Sequence, residues 1–222
     1  MLVWVLLTQL ALAMTPVVAI GDELVVAAAE PGGVGTGGWV HSVADCLEES
    51  GQARWTVSDR SRTGETLRAA RQRVAEVREL AGPSGVLVVA LGARELALGV
   101  VPAQLRAELD QLVQALLVDP GPTVILVDPI APALAAGTPQ EQVAVDAAVS
   151  GFTRALGQVA EAEADVLHVR VWGDWPRAGR ARRVLTERDR TLSARGHARV
   201  AAAVCDALVN LDAAEVEPRP DQ

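Results

Sequence analysis

Short runs of Val, Leu, Ile and Ala alternate with segments whose apolar residues recur at helical spacing, and this pattern predicts an α/β fold. The expected architecture is a three-layer α/β/α sandwich around a five-stranded parallel sheet. Two observations carry it. The runs are apolar throughout rather than alternating, as strands covered on both faces must be. Each is also followed by a segment long enough for a crossover helix, which parallel neighbours require. No repeat or linker divides the 222 residues, so one domain is expected over residues 16–211, with an apolar leader at 1–15 and a loose acidic tail at 212–222.

Residues 16–24 form the first strand, an apolar β-branched run that stops at Gly21 and presents Asp22 and Glu23. In an open α/β sheet ligands bind beyond the carboxyl ends of the strands, so these two acids stand where chemistry is expected. The stretch with Gly32, Gly33, Gly35, Gly37 and Gly38 lacks the Lys-Ser/Thr ending of a phosphate-binding loop and reads as a flexible connection. Trp39, Val43 and Leu47 share a helical face that stops at Gly51, and residues 54–57 make a second strand. Leu67, Ala70, Val74, Val77 and Leu80 predict one surface helix with a buried stripe.

Residues 85–91 are a third strand ending at Gly92, and Pro102 opens a helix with Leu105, Leu109, Leu112 and Leu116 inward. Residues 123–127 form the fourth strand. Thr138, Pro139 and Glu141 have the form of a capping box, followed by an apolar face of Val145, Val149, Phe152, Leu156 and Val159. Residues 165–172 supply the fifth strand, and Ser193 caps a last helix bearing Val200, Val204 and Leu208.

Aromatics are scarce, with no Tyr and one Phe, so the core must be aliphatic. Every basic residue is Arg, which resembles a codon bias and tempers the reading of any single arginine. The formal charge of −8 argues against general affinity for nucleic acid, and no nucleic-acid partner is expected. Residues 1–13 are apolar and uncharged without the basic start of an export signal. A cleaved signal, a retained hydrophobic appendage and a true start at Met14 all stay open. The segment favours an exported or envelope-associated protein over a cytoplasmic one, with a membrane partner only if residues 1–13 are retained as an anchor.

Cys46 and Cys205 are too few for a zinc motif and read by default as small buried apolar residues. A bridge between them requires the first and last helices to be neighbours. His41, His168 and His197 show no metal-ligand spacing, so neither metal nor cofactor is expected. His168 can pack in the sheet or against a helix, and His197 reads as structural. Six arginines lie in residues 177–190, opposed by Glu187 and Asp189, and Trp172 and Trp175 stand just before them. Such a loop can bind an anionic group, or can simply be a solvated face.

Four segments together resemble the SGNH, or GDSL, hydrolases. Val17-Val18-Ala19-Ile20-Gly21-Asp22-Glu23-Leu24 resembles their first block, and Thr63-Gly64-Glu65-Thr66 the end of their second. Leu91-Gly92-Ala93-Arg94-Glu95-Leu96 occupies the place of their Gly-x-Asn-Asp segment. Leu192-Ser193 to Gly196-His197 is similar to the stretch after their catalytic histidine. The matches keep order and spacing over residues 16–208. The resemblance implies a flavodoxin-like fold and esterase or lipase ancestry. Carried over by position, the nucleophilic serine is Glu23, the oxyanion-binding asparagine is Arg94, the histidine is Thr191, the aspartate is Arg188, and the second-block glycine falls at Ser61.

Neither Thr191 nor Arg188 can take a proton from a hydroxyl nucleophile, and ester attack by Glu23 would give an anhydride needing further activation. The expectation is therefore a catalytically degenerate hydrolase-like protein with a binding or structural role. Its partner would be a small anionic ligand or a protein. Candidate ligand-binding residues are Asp22, Glu23, Gly64, Gly92, Arg94, Arg188 and Asp189, with Glu23 and Arg94 expected to pair across the former oxyanion hole. The competing expectations are an active esterase using displaced groups, such as Ser58 or Ser61 with Asp22, Asp189 or His197, and an anion-binding module centred on Arg94 and Arg188.

Overall fold

The computed structural model describes residues 14–22, 38–52, 54–62, 64–129, 138–172 and 192–216. Five strands, β1 (Thr15–Gly21), β2 (Trp55–Asp59), β3 (Val86–Ala90), β4 (Thr123–Val127) and β5 (Val166–Val169), form one sheet in the order β2-β1-β3-β4-β5. Every pairing is parallel, with Ile20 opposite Val89 and Leu126 opposite His168. The three inner strands are Val, Leu, Ile and Ala almost throughout. Their burial on both faces follows from helices covering the sheet above and below.

The described helices are α1 (Trp39–Glu49), α2 (Leu67–Arg71), α3 (Val74–Ala81), α4 (Ala93–Ala97), α5 (Pro102–Leu116), α6 (Pro139–Ala162) and α7 (Ala194–Val216). Helix α1 packs against α7 on one face, while α5 packs against α2, α3 and α6 on the other. The three-layer α/β/α sandwich with a five-stranded parallel sheet is thus as the sequence predicts. The capping box at α6 forms in full. Thr138 Oγ1 accepts from the Glu141 amide at 3.2 Å, and Glu141 Oε2 accepts from the Thr138 amide at 2.8 Å. Ser193 Oγ accepts from the Gly196 amide at the start of α7, as expected of its cap.

Five expectations are corrected. The single helix predicted over residues 67–80 is two, because the chain turns at Gln72 and Arg73 to bury the Arg73 guanidinium. Leu80, expected inward, is exposed in the last turn of α3. The fifth strand keeps only Val166–Val169 of the predicted eight residues, and α7 continues to Val216, past the start of the expected loose tail.

The fifth concerns the cysteines, which are not free apolar fillers. Cys46 on α1 and Cys205 on α7 form a disulfide, with Cα atoms 6.3 Å apart and a sequence separation of 159. The bridge joins the two helices that pack together on one face. Residues 1–13 of the leader, residues 32–37 of the glycine-rich stretch, Trp175 and the arginine-rich loop lie outside the described residues, while Thr15 already belongs to β1.

Closing a ring of that size restricts the unfolded chain by roughly 5 kcal/mol in the chain-entropy model. Reduction, or the Cys46→Ala/Cys205→Ala variant, should therefore lower the urea midpoint by a shift equivalent to several kcal/mol. A midpoint unmoved by reductant would remove the bridge from the solution structure.

Candidate functional site

Connections leave the sheet in opposite senses between β1 and β3. From β1 the chain runs through α1 on one face to β2. From β2 it returns past β1 through α2 and α3 on the other face to β3. The carboxyl ends of β1 and β3 therefore border the crevice that such a reversal opens. Asp22 follows β1, and Gly92 with α4 follows β3.

Asp22 is buried, and its Oδ2 accepts a hydrogen bond from the Arg94 amide at 3.2 Å. The carboxylate thus ties the end of β1 to the first turn of α4. Gly92 sits at φ +100°, where a β-carbon would stand 2.2 Å from the Phe152 ring carbon Cε1. No larger residue fits there without moving α6. The turn sends Arg94 over the strand ends, where its guanidinium lies across Gly64. A β-carbon built on Gly64, at φ +74°, would come within 3.2 Å of Arg94 Nη1. Arg94 is exposed.

The turn after β2 is pinned from two sides. Its Arg60 and Arg62 amides donate to the Ala19 and Gly21 carbonyls of β1, and the Ser61 amide donates to Asp59 Oδ1. From below, the buried Arg73 guanidinium donates to the Arg60 carbonyl, to Glu65 Oε1 at 2.6 Å and to both oxygens of Glu76. Burial pushes the Glu65 carboxyl above its ordinary range, against the pull of Arg73. Glu76 is held below its ordinary range, chiefly by the Arg73 hydrogen bond.

Glu95 is buried beside Arg94. Its Oε1 accepts from the Leu67 amide at 2.6 Å, satisfying the first turn of α2, and burial pushes its carboxyl up. Glu95 therefore fastens α4 to α2, while Arg73 fastens α2 and α3 to the turn. Neither role is visible in the sequence, because Arg73 falls within the apolar stripe that Ala70 and Val77 define and Glu95 lies in a helix too short to show a period.

The two partly buried histidines are both engaged. His197 Nδ1 accepts from the Trp39 amide at 3.2 Å, joining α7 to the start of α1, and burial lowers its pKa. This is the structural role expected of it. His168 Nε2 lies 2.9 Å from Asp128 Oδ1, and Asp128 Oδ2 accepts from the Trp172 amide. The pair stitches β4 to the end of β5. Ser58 Oγ bonds the Val17 carbonyl one rung below the strand ends, and the Ser61 hydroxyl is buried.

Asp22, Gly64, Gly92 and Arg94 are thus brought together at one edge of the sheet, with Ser61 in the adjoining turn. Glu23, Arg188, Asp189 and Thr191 lie outside the described residues, as does the expected pairing of Glu23 with Arg94. Among the described residues no cluster of His, Cys, Asp and Glu could hold a metal ion, and no helix is long and apolar enough to cross a membrane.

Removing one partner of a buried ion pair strands the other, at a cost of about 3–5 kcal/mol. Arg73→Ala should destabilise the chain by that order in urea unfolding, and adding Glu65→Gln should recover part of it. A loss below about 1 kcal/mol would show that the pair is dispensable. For His197 the folded pKa is lower than the unfolded value of about 6.5. Its stabilisation is therefore complete above that value and is lost as pH falls toward the folded pKa. Between pH 7 and 5 the parent should lose more stability than His197→Gln, and equal losses would contradict the buried neutral imidazole.

No family model matches the sequence, and no curated protein does. The fold has many solved counterparts. "Crystal Structure of TesA" superposes with a TM-score of 0.67 at 21% identity, covering 88% of this chain and 99% of that one. An acetylxylan esterase from Geobacillus stearothermophilus, Axe2, gives 0.67 at 18% identity over 87% and 94% of the two chains. A member of the lipolytic G-D-S-L family from Veillonella parvula gives 0.65 at 14% identity over 87% and 98%. At these identities the likeness is one of fold, and this chain has the α/β/α fold of the SGNH esterases and lipases.

Proposed function

We propose that this chain uses the hydrolase fold without its acyl-ester chemistry and binds a small anionic ligand, or an anionic group of a protein partner, at the strand ends around Arg94. The observation that carries the reading is the Arg94 guanidinium lying across Gly64, at the position where the resemblance puts an oxyanion-binding asparagine. A fixed cation there suits a carboxylate or phosphate in the ground state.

Three further points support it. The positions of the nucleophile, base and orienting acid hold Glu23, Thr191 and Arg188. His197 is occupied by the Trp39 amide and Asp22 by the Arg94 amide, which counts against an esterase assembled from displaced groups. The engagement of His168 with Asp128 counts the same way. The esterase reading keeps one argument, that the superposed structures include named esterases and lipases. The Cys46–Cys205 disulfide favours an exported or envelope location, since such bridges persist in oxidising compartments.

The test pairs hydrolysis of p-nitrophenyl acyl esters with thermal shifts in acetate, sulfate and phosphate, using the full chain, Glu23→Ala and Arg94→Ala. Expected are no turnover above a heat-denatured control and stabilisation by at least one anion that Arg94→Ala abolishes. At tenfold excess over Kd that stabilisation is about 1.4 kcal/mol. Turnover that Glu23→Ala removes would overturn the reading and make Glu23 catalytic.

A further inference from the structure

The chain carries a formal charge of −8, yet residues 54–73 hold six arginines against two acids, Asp59 and Glu65. The structure shows how these charges are divided. Arg73 is consumed in the interior by Glu65 and Glu76, and Arg54 lies over the Trp55 ring, 4.7 Å from its centroid. Arg60, Arg62, Arg68 and Arg71 are exposed.

Arg73, two residues beyond Arg71, bonds the Arg60 carbonyl and shares Glu76 with Arg62, which places the Arg60–Arg62 turn one arginine side chain away from the end of α2. Among the described residues, Arg62 meets an acid only through its exposed ion pair with Glu76, which offsets little of its charge. Arg68 and Arg71 flank a cleft of about 180 Å³ between α2 and α5, completed by Glu108 and Gln111. That volume is below the roughly 300–1,000 Å³ of sites that enclose a small molecule. A ligand here must lie across the surface.

We propose that Arg60, Arg62, Arg68 and Arg71 form a docking surface for an acidic peptide segment of a protein partner. Arginine forks pair with carboxylates two bonds at a time, so four on one surface suit a run of Asp or Glu. Glu108 and Gln111 in the cleft can accept backbone N–H groups, which a peptide has and a phosphodiester strand lacks. The overall negative charge disfavours a long polyanion but is screened beyond about 10 Å at ordinary salt, leaving local contacts effective. The surface adjoins the strand-end site without depending on it. A chain that fails to bind small anions at Arg94 could still bind here.

The experiment is fluorescence anisotropy of a labelled oligo-glutamate peptide with the full chain, in low salt and at about 0.15 M salt. Arg68→Glu/Arg71→Glu should weaken binding by about tenfold or more, and salt should weaken it further. Arg154→Glu/Arg195→Glu reverses two exposed arginines outside this surface with the same change in net charge, and should leave affinity within about twofold. Because the reversed side chains are exposed, circular dichroism should match the parent; Arg68→Gln/Arg71→Gln, should the reversal misfold, must show the same direction of loss. No peptide binding at low salt, equal losses in the two double reversals, or displacement of the peptide by oligothymidylate or phosphatidylglycerol vesicles at lower concentration would each overturn the proposal.

Discussion

The buried Arg73 guanidinium is the interaction on which the arrangement of the strand ends depends. A cation can occupy the interior only if its donors are met, and here four oxygens meet them: the Arg60 carbonyl, Glu65 Oε1 and both oxygens of Glu76. Those oxygens come from the turn after β2, the loop before α2 and the first turns of α3. One side chain therefore ties together three pieces of backbone. Gly64 is held within this frame, and through it the position of the Arg94 guanidinium is defined. The cost of dehydrating a charge is offset only while every member stays in place, which makes this part of the fold cooperative.

The same logic recurs on the other side of the crevice. Asp22 and Glu95 are buried acids that each spend one oxygen on a backbone amide, Asp22 on Arg94 and Glu95 on Leu67. Short helices such as α2 and α4 gain little from their own hydrogen bonds, because nucleation is unfavourable and there are few turns to repay it. Tertiary acceptors make up the difference. The strand ends are thus built from backbone held by buried charge.

Most of the sheet was legible in the sequence because fully apolar runs of four to six residues have few other uses in a domain of this length. The capping box at Thr138 was legible for the same local reason: its residues act within one turn. The break between α2 and α3 was not, since Leu67, Ala70, Val74 and Val77 keep helical spacing across it and only the burial of Arg73 creates it. Helix α4, at five residues, is too short to show a period. Of the candidate site, Asp22, Gly92 and Arg94 were found from their places after strands, whereas Glu95 and Asp128 were invisible because their partners are distant in sequence, and Arg73 because it falls within the apolar stripe that its burial interrupts. The cysteine pair lies between these cases. Its possibility could be stated from helix order, but its formation depends on how α1 and α7 meet.

That meeting has a topological consequence. Cys46 and Cys205 enclose β2, β3, β4 and β5 in a covalent ring, and β1 hangs from it through α1. A single cut anywhere between the two cysteines opens the ring without separating the pieces. Every strand of the sheet then remains on one molecule, and each half stays at high effective concentration beside the other. Under oxidising conditions a nicked chain can still reassemble its sheet as a unimolecular event, whereas the reduced, nicked chain must do so by encounter of two fragments.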